Sequence, residues 1–481
     1  MINKFSEPQI DRFRKVLAIG WSLLILCSFY DPVSLWLTHP DNLDSLLHID
    51  PSICILVQGE CLQQVSYVLA PRIFWGIVVP SSIIILTVGG HDAWRRICPL
   101  SFFSQIPRTL GRGRKIKKVN PVSGSVKYEP AAVTKDSWLG RNYLYLQLLL
   151  FYLGLNIRLL FANGSGLGMG IFLVATITAA VVVGYLFKGK SWCQYFCPMA
   201  PVQVFFTGTR GLVSTDAHLD SAKLTQSMCR TIDPKVGEKS GCVGCQVTCI
   251  DIDVQLNYWQ HAKKSDRELL FYGYFGLMVG FFVYQYLYAG NWDYYFSGAW
   301  SHDPNQLSSL LSPGFYIAGH TIDIPKIVAA PLTLIICASI SYYAGQMTER
   351  VYQSYLVSRD STIDITEIRH HCYSVWVLLS FNTFFAFVLR PNLKIFPESM
   401  RFVPTLILLG LSFVWLIQSL KRSEDRYVRE NVTIGLLKQL KKLKVNWKSS
   451  LRGRSLEDLN EREVEALIKS LPPRHSQKIK Q

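Results

Sequence analysis

Apolar residues gather in long runs along this chain, and polar or charged stretches separate the runs. Eight runs are long enough to cross a bilayer core of roughly 30 Å, which takes about 20 apolar residues. They lie near residues 16–37, 71–90, 143–163, 168–187, 268–289, 326–345, 372–390 and 402–420. Asp31 and Pro32 interrupt the first. The opening stretch MINKFSEPQIDRFRK is long, mixed in charge and followed by no small-residue cleavage site, so it does not read as a cleavable signal peptide. The pattern predicts an all-α polytopic membrane protein with about eight transmembrane helices.

Composition agrees. Of 481 residues, 49% are hydrophobic and only 17% charged, against about 25% charged in soluble domains. Lys and Arg collect on cytoplasmic loops and so orient the spans. Segments 38–67 and 290–325 hold no Lys or Arg and are expected outside. The stretch RTLGRGRKIKK, with its six basic residues, is expected inside. So are segment 188–267 and everything from Lys421 onward. The short loop bearing Arg390, Lys394 and Arg401 breaks the rule. Both termini then face the cytoplasm of a bacterial-type plasma (inner) membrane.

Half of the +16 net charge sits in the tail, where sixteen Lys/Arg face eight Asp/Glu after residue 420. The positive-inside bias and anionic lipid heads account for it. No nucleic-acid recognition motif accompanies the charge, so nucleic acid is not an expected partner.

The twelve cysteines divide by location. Cys27, Cys337 and Cys372 lie in or beside apolar runs and read as small buried hydrophobes. Cys54 and Cys61 share the expected outer loop, where a disulfide is permitted. Seven remain on the expected inner side, and that density in a reducing compartment points to metal ligation or redox chemistry. Cys242-x2-Cys245-x3-Cys249 matches the end of the bacterial ferredoxin run, with Gly241 and Gly244 easing the tight loop. Lys239 stands where that run has its first cysteine, and Ile250 where it has proline. Cys229 is the nearest replacement ligand. Cys229, Cys242, Cys245 and Cys249 would then hold one [4Fe–4S] cluster in a small ferredoxin-like segment. The rival is structural zinc, but only one CxxC knuckle is present.

WRRICPLSFFSQIPRTLGRG, from Trp94, and WCQYFCPMAPVQVFFTGTRG, from Trp192, form an internal repeat. Each follows a hydrophobic hairpin and places Cys-Pro at the inner surface, 99 residues apart. Proline restricts helix continuation, which would leave thiols at the membrane edge. Cys98, Cys193 and Cys197 are therefore candidates for a second metal or redox site, with His91 or Asp92 as a fourth ligand.

Paired Cys-Pro elements followed by a ferredoxin-like cysteine run resemble the polytopic membrane 4Fe-4S ferredoxin-type proteins of the NapH/NosR/CcoG-like group. The resemblance covers about residues 70–260. In that group the element reads C-x3-C-P. Cys193-x3-Cys197-Pro198 matches fully, whereas Trp94 replaces the leading cysteine of the first copy. The second ferredoxin run is missing. The resemblance implies membrane electron transfer between a cytosolic or quinone donor and a partner.

Other features carry less. No two histidines share a mid-span depth, so haem is not expected. Arg158, near the outer end of the third run, reads as snorkelling to the interface. In the tail, Leu456, Leu459, Val464 and Leu467 suggest a short amphipathic helix, with Ser455 and Asp458 as a capping box. The organisation expected is an N-terminal hairpin (1–90), a Cys-Pro element with a basic loop (91–142) and a second hairpin (143–190). A CxxxCP element with the iron–sulfur segment (191–267), four further helices (268–420) and a basic tail (421–481) complete it. The leading functional reading is an iron–sulfur electron carrier partnered by the bilayer and by an acidic soluble donor, such as ferredoxin or flavodoxin, or a quinone. The alternatives are a redox sensor or scaffold acting through the tail, and a transporter with a structural cluster.

Overall fold

The computed structural model describes residues 7–442 and 463, apart from 64, 120–123, 215–229, 234–236, 241–248, 360–363, 394–396 and 398–399. Cys229, Cys242, Cys245 and the amphipathic tail segment lie outside the described residues. The chain is mostly helical. Among the described residues, seven helical spans are long and apolar enough to cross a membrane, from Ala70–Phe103 to Phe402–Leu420. They correspond to the second through eighth apolar runs.

The first run divides in two. Helix α1 (Glu7–Phe29) carries Arg12, Arg14 and Lys15 in its first half. Asp31 then accepts the Ser34 amide at 2.9 Å and starts a separate short helix, α2 (Pro32–Leu37). A single helix over 16–37 is thereby excluded: Asp31 captures an amide that a continuous helix would spend on its own carbonyl ladder.

The second span begins with α3 (Ala70–Ile73), passes through a π turn at Phe74–Val78 and continues as α4 (Val79–Ile97). Short helices α5 (Pro99–Phe103) and α6 (Ile106–Thr109) lead to a basic hairpin, Lys115–Val119 paired with Val126–Pro130. Helix α7 (Trp138–Ile157) returns across the molecule and ends in a second π turn, Arg158–Ala162. Helix α8 (Gly166–Leu186) crosses again, and α9 (Ala200–Thr207) comes after the second Cys-Pro. After a hairpin at Arg230–Asp233 and Gly237–Ser240 come α10 (Val254–Ala262) and α11 (Ser265–Ala289). On the far side lie α12 (Asp293–Phe296) and a hairpin over Pro313–Ile317 and His320–Pro325. Helices α13 (Lys326–Val357), α14 (Ile365–Leu393), α15 (Phe402–Leu420) and α16 (Glu424–Lys442) complete the chain.

Burial ranks the spans. In α11, 72% of the apolar stretch is buried, against 17% in α15, so α11 is the central post and α15 is exposed on most sides. Gly276 and Gly280 explain how α13 packs so closely on α11. A Cβ at Gly276 would stand 2.2 Å from the Cys337 carbonyl, so only glycine admits this backbone approach. Stacking of Phe271 on Tyr373, at 4.3 Å between ring centroids, ties α11 to α14. Helix α13, with 32 residues, is about 48 Å long and outruns the hydrocarbon core. Its polar end carries Glu349, which shares Arg369 with Glu268.

One break matters for the site. Gly90 lies at φ +67° inside α4. The break frees the carbonyls of Thr87 and Val88, which accept the amides of Leu212 (3.0 Å) and Val213 (2.8 Å). The chain after α9 is thus stitched to α4. A Cβ at Gly211 would sit 2.3 Å from the Gly90 nitrogen, so the contact is backbone on backbone.

Candidate metal centre

The two Cys-Pro turns share a backbone. Cys98 adopts φ −61°, ψ 117° and Cys197 φ −62°, ψ 121°. Each amide returns to a tryptophan carbonyl, Cys98 to Trp94 at 2.9 Å and Cys197 to Trp192 at 2.8 Å. The first turn closes across four residues and the second across five, because Trp192–Phe196 is a π turn. Eight residues before each cysteine stands a left-handed glycine, Gly90 at φ +67° and Gly189 at φ +73°. The repeat therefore extends from the glycine to the proline at one offset of 99 residues.

Equivalent residues of the two copies grip one segment. His91 and Lys190, the residues after the two glycines, both reach the Asp251 carboxylate. His91 Nε2 lies 2.5 Å from Oδ1, and Lys190 Nζ lies 3.6 Å from Oδ2. Arg95 and Gln194 are also equivalent. Arg95 donates to the Asp251 carbonyl, and Gln194 Nε2 donates to the Cys249 Sγ at 3.5 Å. Burial alone would raise the Asp251 carboxyl; Lys190 and the His91 hydrogen bond outweigh it and hold it well below the usual carboxylate range. Both Asp251 and Lys190 are under 5% exposed, so this is a buried clasp.

The clasp sets the path of the chain into α10. Ile252 and Asp253 both donate their amides to the Cys249 carbonyl, closing a turn. Asp253 then caps α10 by accepting the Leu256 amide at 3.0 Å. Its second oxygen accepts the Tyr427 hydroxyl of α16 at 2.7 Å. His91 pairs with Asp251, and Asp92 with Arg95 at 2.7 Å. His91 keeps its Nδ1 buried and without a hydrogen-bond partner.

Cys197 and Cys249 are buried and Cys193 is half-buried. Burial, then the neighbouring Cys98, pushes the Cys197 thiol up to about 12. Burial, then Cys197, raises Cys193 well above the ordinary thiol range. Such thiols stay protonated until a metal draws the protons off. A cavity of about 30 Å³, lined by Cys193, His91 and Asp251 among others, lies beside the clasp. Among the described residues, no group of three or more His, Cys, Asp or Glu gathers around a single point that would hold a metal ion. The donor chemistry nevertheless suits an iron–sulfur group: soft thiols beside Lys190 and Arg95. Of the four ferredoxin-like cysteines, only Cys249 is among the described residues, and it faces Gln194, next to Cys193.

On the opposite side Cys54 and Cys61 form a disulfide, with 5.2 Å between Cα atoms. Arg158 departs from expectation. It does not snorkel: it is 6% exposed, with its guanidinium over the rings of Trp75 (4.3 Å) and Phe281 (4.2 Å). It is the first residue of the π turn Arg158–Ala162. Sequence reading also missed the clasp. The available signal was His91 and Lys190 at equivalent places in the repeat, but the Asp251 they share is 160 residues from His91.

The family described as a 4Fe-4S binding domain matches residues 170–214. That stretch contains most of α8, Cys193, Cys197 and α9. The chain therefore carries a 4Fe-4S binding domain within a bundle of membrane-length helices. No curated protein matches the chain, and no solved structure does.

Proposed function

We propose that the protein is a membrane-bound electron-transfer protein. Its cysteine-rich segment and both termini lie on the cytoplasmic side of a bacterial-type plasma membrane. A [4Fe–4S] cluster, when bound, takes up and releases one electron. Cys229, Cys242, Cys245 and Cys249 are the proposed ligands, with Cys98, Cys193 and Cys197 as a second metal or redox site. The observation that carries this reading is the clasp on Asp251. Both Cys-Pro copies hold the segment that bears Cys249 against the helix bundle, with Gln194 on the Cys249 sulfur. Gln194 donates to the Cys249 sulfur there, and a hydrogen bond to a ligand sulfur favours the more negative, reduced state and raises the potential. The exposed basic hairpin at Lys115–Val119, with Arg112 and Arg114 before it, offers a landing surface for an acidic soluble donor such as ferredoxin or flavodoxin. A quinone is the alternative donor.

The test is iron and acid-labile sulfide analysis with low-temperature EPR on anaerobically purified protein. Equal iron and sulfide, with a reduced-state signal lost in Cys249→Ser, supports the proposal. Iron-free or zinc-loaded protein refutes it. A second reading, a redox sensor signalling through the tail, is favoured by one contact. Tyr427 of α16 touches Asp253, four residues after Cys249, and Lys263 pairs with Glu424 at 3.3 Å. Truncation after residue 422 separates the two: a carrier keeps its reduction kinetics.

A further inference from the structure

A cavity of about 610 Å³ runs between α1, α4, α7 and α8. At one end it reaches Cys98 and Cys197, beside their prolines; at the other it reaches Trp75 and Arg158. Phe74 and Ile97, 23 residues apart on the helical span Ala70–Phe103, both line it, a separation of roughly 35 Å. The cavity thus extends along most of a bilayer's thickness. Its walls are almost wholly apolar, and Arg158 is the one cation among the residues that line it.

Arg158 is a buried charge that the described residues do not neutralise. Its guanidinium lies against Trp75, Phe281 and Trp300 faces, its Nε has no hydrogen-bond partner, and no carboxylate pairs with it. Ring faces return only part of what a guanidinium loses on leaving water. Two π turns, Phe74–Val78 and Arg158–Ala162, meet at this end and aim Trp75 and Arg158 at the same space. Such single-turn insertions recur at functional sites.

The geometry points to a binding site for an acidic amphiphile: a carboxylate or phosphate-ester head on Arg158, and one extended hydrocarbon chain along the cavity toward Cys98 and Cys197. Charge complementarity selects the head, since a neutral head leaves the guanidinium unpaired. The length and the apolar walls select the tail. Gly20 and Gly154 line the wall, and a Cβ at either meets nothing within 4 Å, so larger side chains there would enter open space.

Trp21, Trp75 and Trp94 line the cavity and make it readable by fluorescence. The full chain, in neutral phosphatidylcholine nanodiscs, is titrated with dibrominated stearate, its methyl ester, or phosphatidylglycerol with dibrominated chains. Saturable tryptophan quenching by an acidic probe is expected, with the methyl ester weaker by about tenfold or more. Which acidic probe binds more tightly tells a free carboxylate from a lipid phosphate. Arg158→Gln should erase the preference for acid over ester, and Arg158→Lys should keep most of it. Gly154→Leu should weaken all probes with the charge intact, which guards against misfolding of the Arg158 variants. Equal quenching by acid and ester, an unchanged preference in Arg158→Gln, or equal displacement by a neutral prenylated quinone overturns the assignment.

Discussion

Replacing Asp251 by Asn tests whether the clasp holds the cysteine-rich segment in place. The side chain keeps its shape and can still accept from His91, so the change removes charge and little else. Lys190 is 2% exposed and would be left as a buried cation without its carboxylate. Breaking one side of a buried ion pair costs about 3–5 kcal/mol. Set against docking of the 249–253 turn, that is a fall of about two to nearly four orders of magnitude in the docked-to-undocked ratio. The thiol of Cys249 should then react with a maleimide much faster in metal-free D251N than in metal-free wild type. Iron retained per chain after anaerobic purification should drop in parallel. The grip on one carboxylate from both copies adds a control. Lys190→Met should weaken docking in the wild-type background and restore much of it in D251N, because it removes the buried cation that D251N leaves unpaired. Unchanged Cys249 reactivity and full iron content in D251N would refute the idea that Asp251 docks the segment.

The same geometry sets further outcomes. The Asp251 carboxyl lies far below its unfolded value of about 3.9, so its contribution is complete above that pH and is lost only as pH falls through the folded value. Protease protection of the metal-free 249–253 turn should therefore stay flat from about pH 8 to pH 5; a transition inside that window would refute control by the Asp251 carboxylate. Tyr427→Phe removes one hydrogen bond to Asp253 and should loosen α16 by about 1 kcal/mol, read as faster amide exchange there with no change in iron content. Gly276→Val forces α11 away from the Cys337 carbonyl, and overpacking of this kind costs about 1–3 kcal/mol, visible as a lower unfolding temperature in detergent. Gly211→Ala should disturb the stitch to Gly90 and raise Cys193 reactivity, because its Cβ meets backbone that has no alternative rotamer.

Hydropathy alone places the seven clean spans, because a bilayer demands long apolar runs wherever they fall in the fold. It misjudges the first run, where one acidic residue recruits an amide and divides the helix at Asp31. The Cys-Pro repeat is legible because proline and cysteine are rare enough for their spacing to show. The matching glycines escape notice because their meaning is a positive φ, which the sequence does not print. The π turns at Phe74, Arg158 and Trp192 are equally silent. Each rotates the residues after it by about a quarter turn, roughly 100° per added residue, so the buried face beyond each turn no longer follows the helical period that the sequence suggests. The clasp is hidden for another reason: its partners are far apart in sequence and only pack together in the folded bundle.

Asp251 and Arg158 pose the same physical problem and receive opposite answers. Both are charges taken out of water, Asp251 4% and Arg158 6% exposed. The chain surrounds Asp251 with Lys190, His91 and Arg95, and the carboxylate is neutralised from within. Around Arg158 it places aromatic faces, an open apolar cavity and no anion among the described residues. A buried charge that goes unpaired weakens the fold by several kcal/mol. A chain that can build three partners for one charge has the means to build one for the other. The neutralised charge secures a segment of the protein itself. The charge left open faces a space that something else enters, and its sign says that the visitor is acidic.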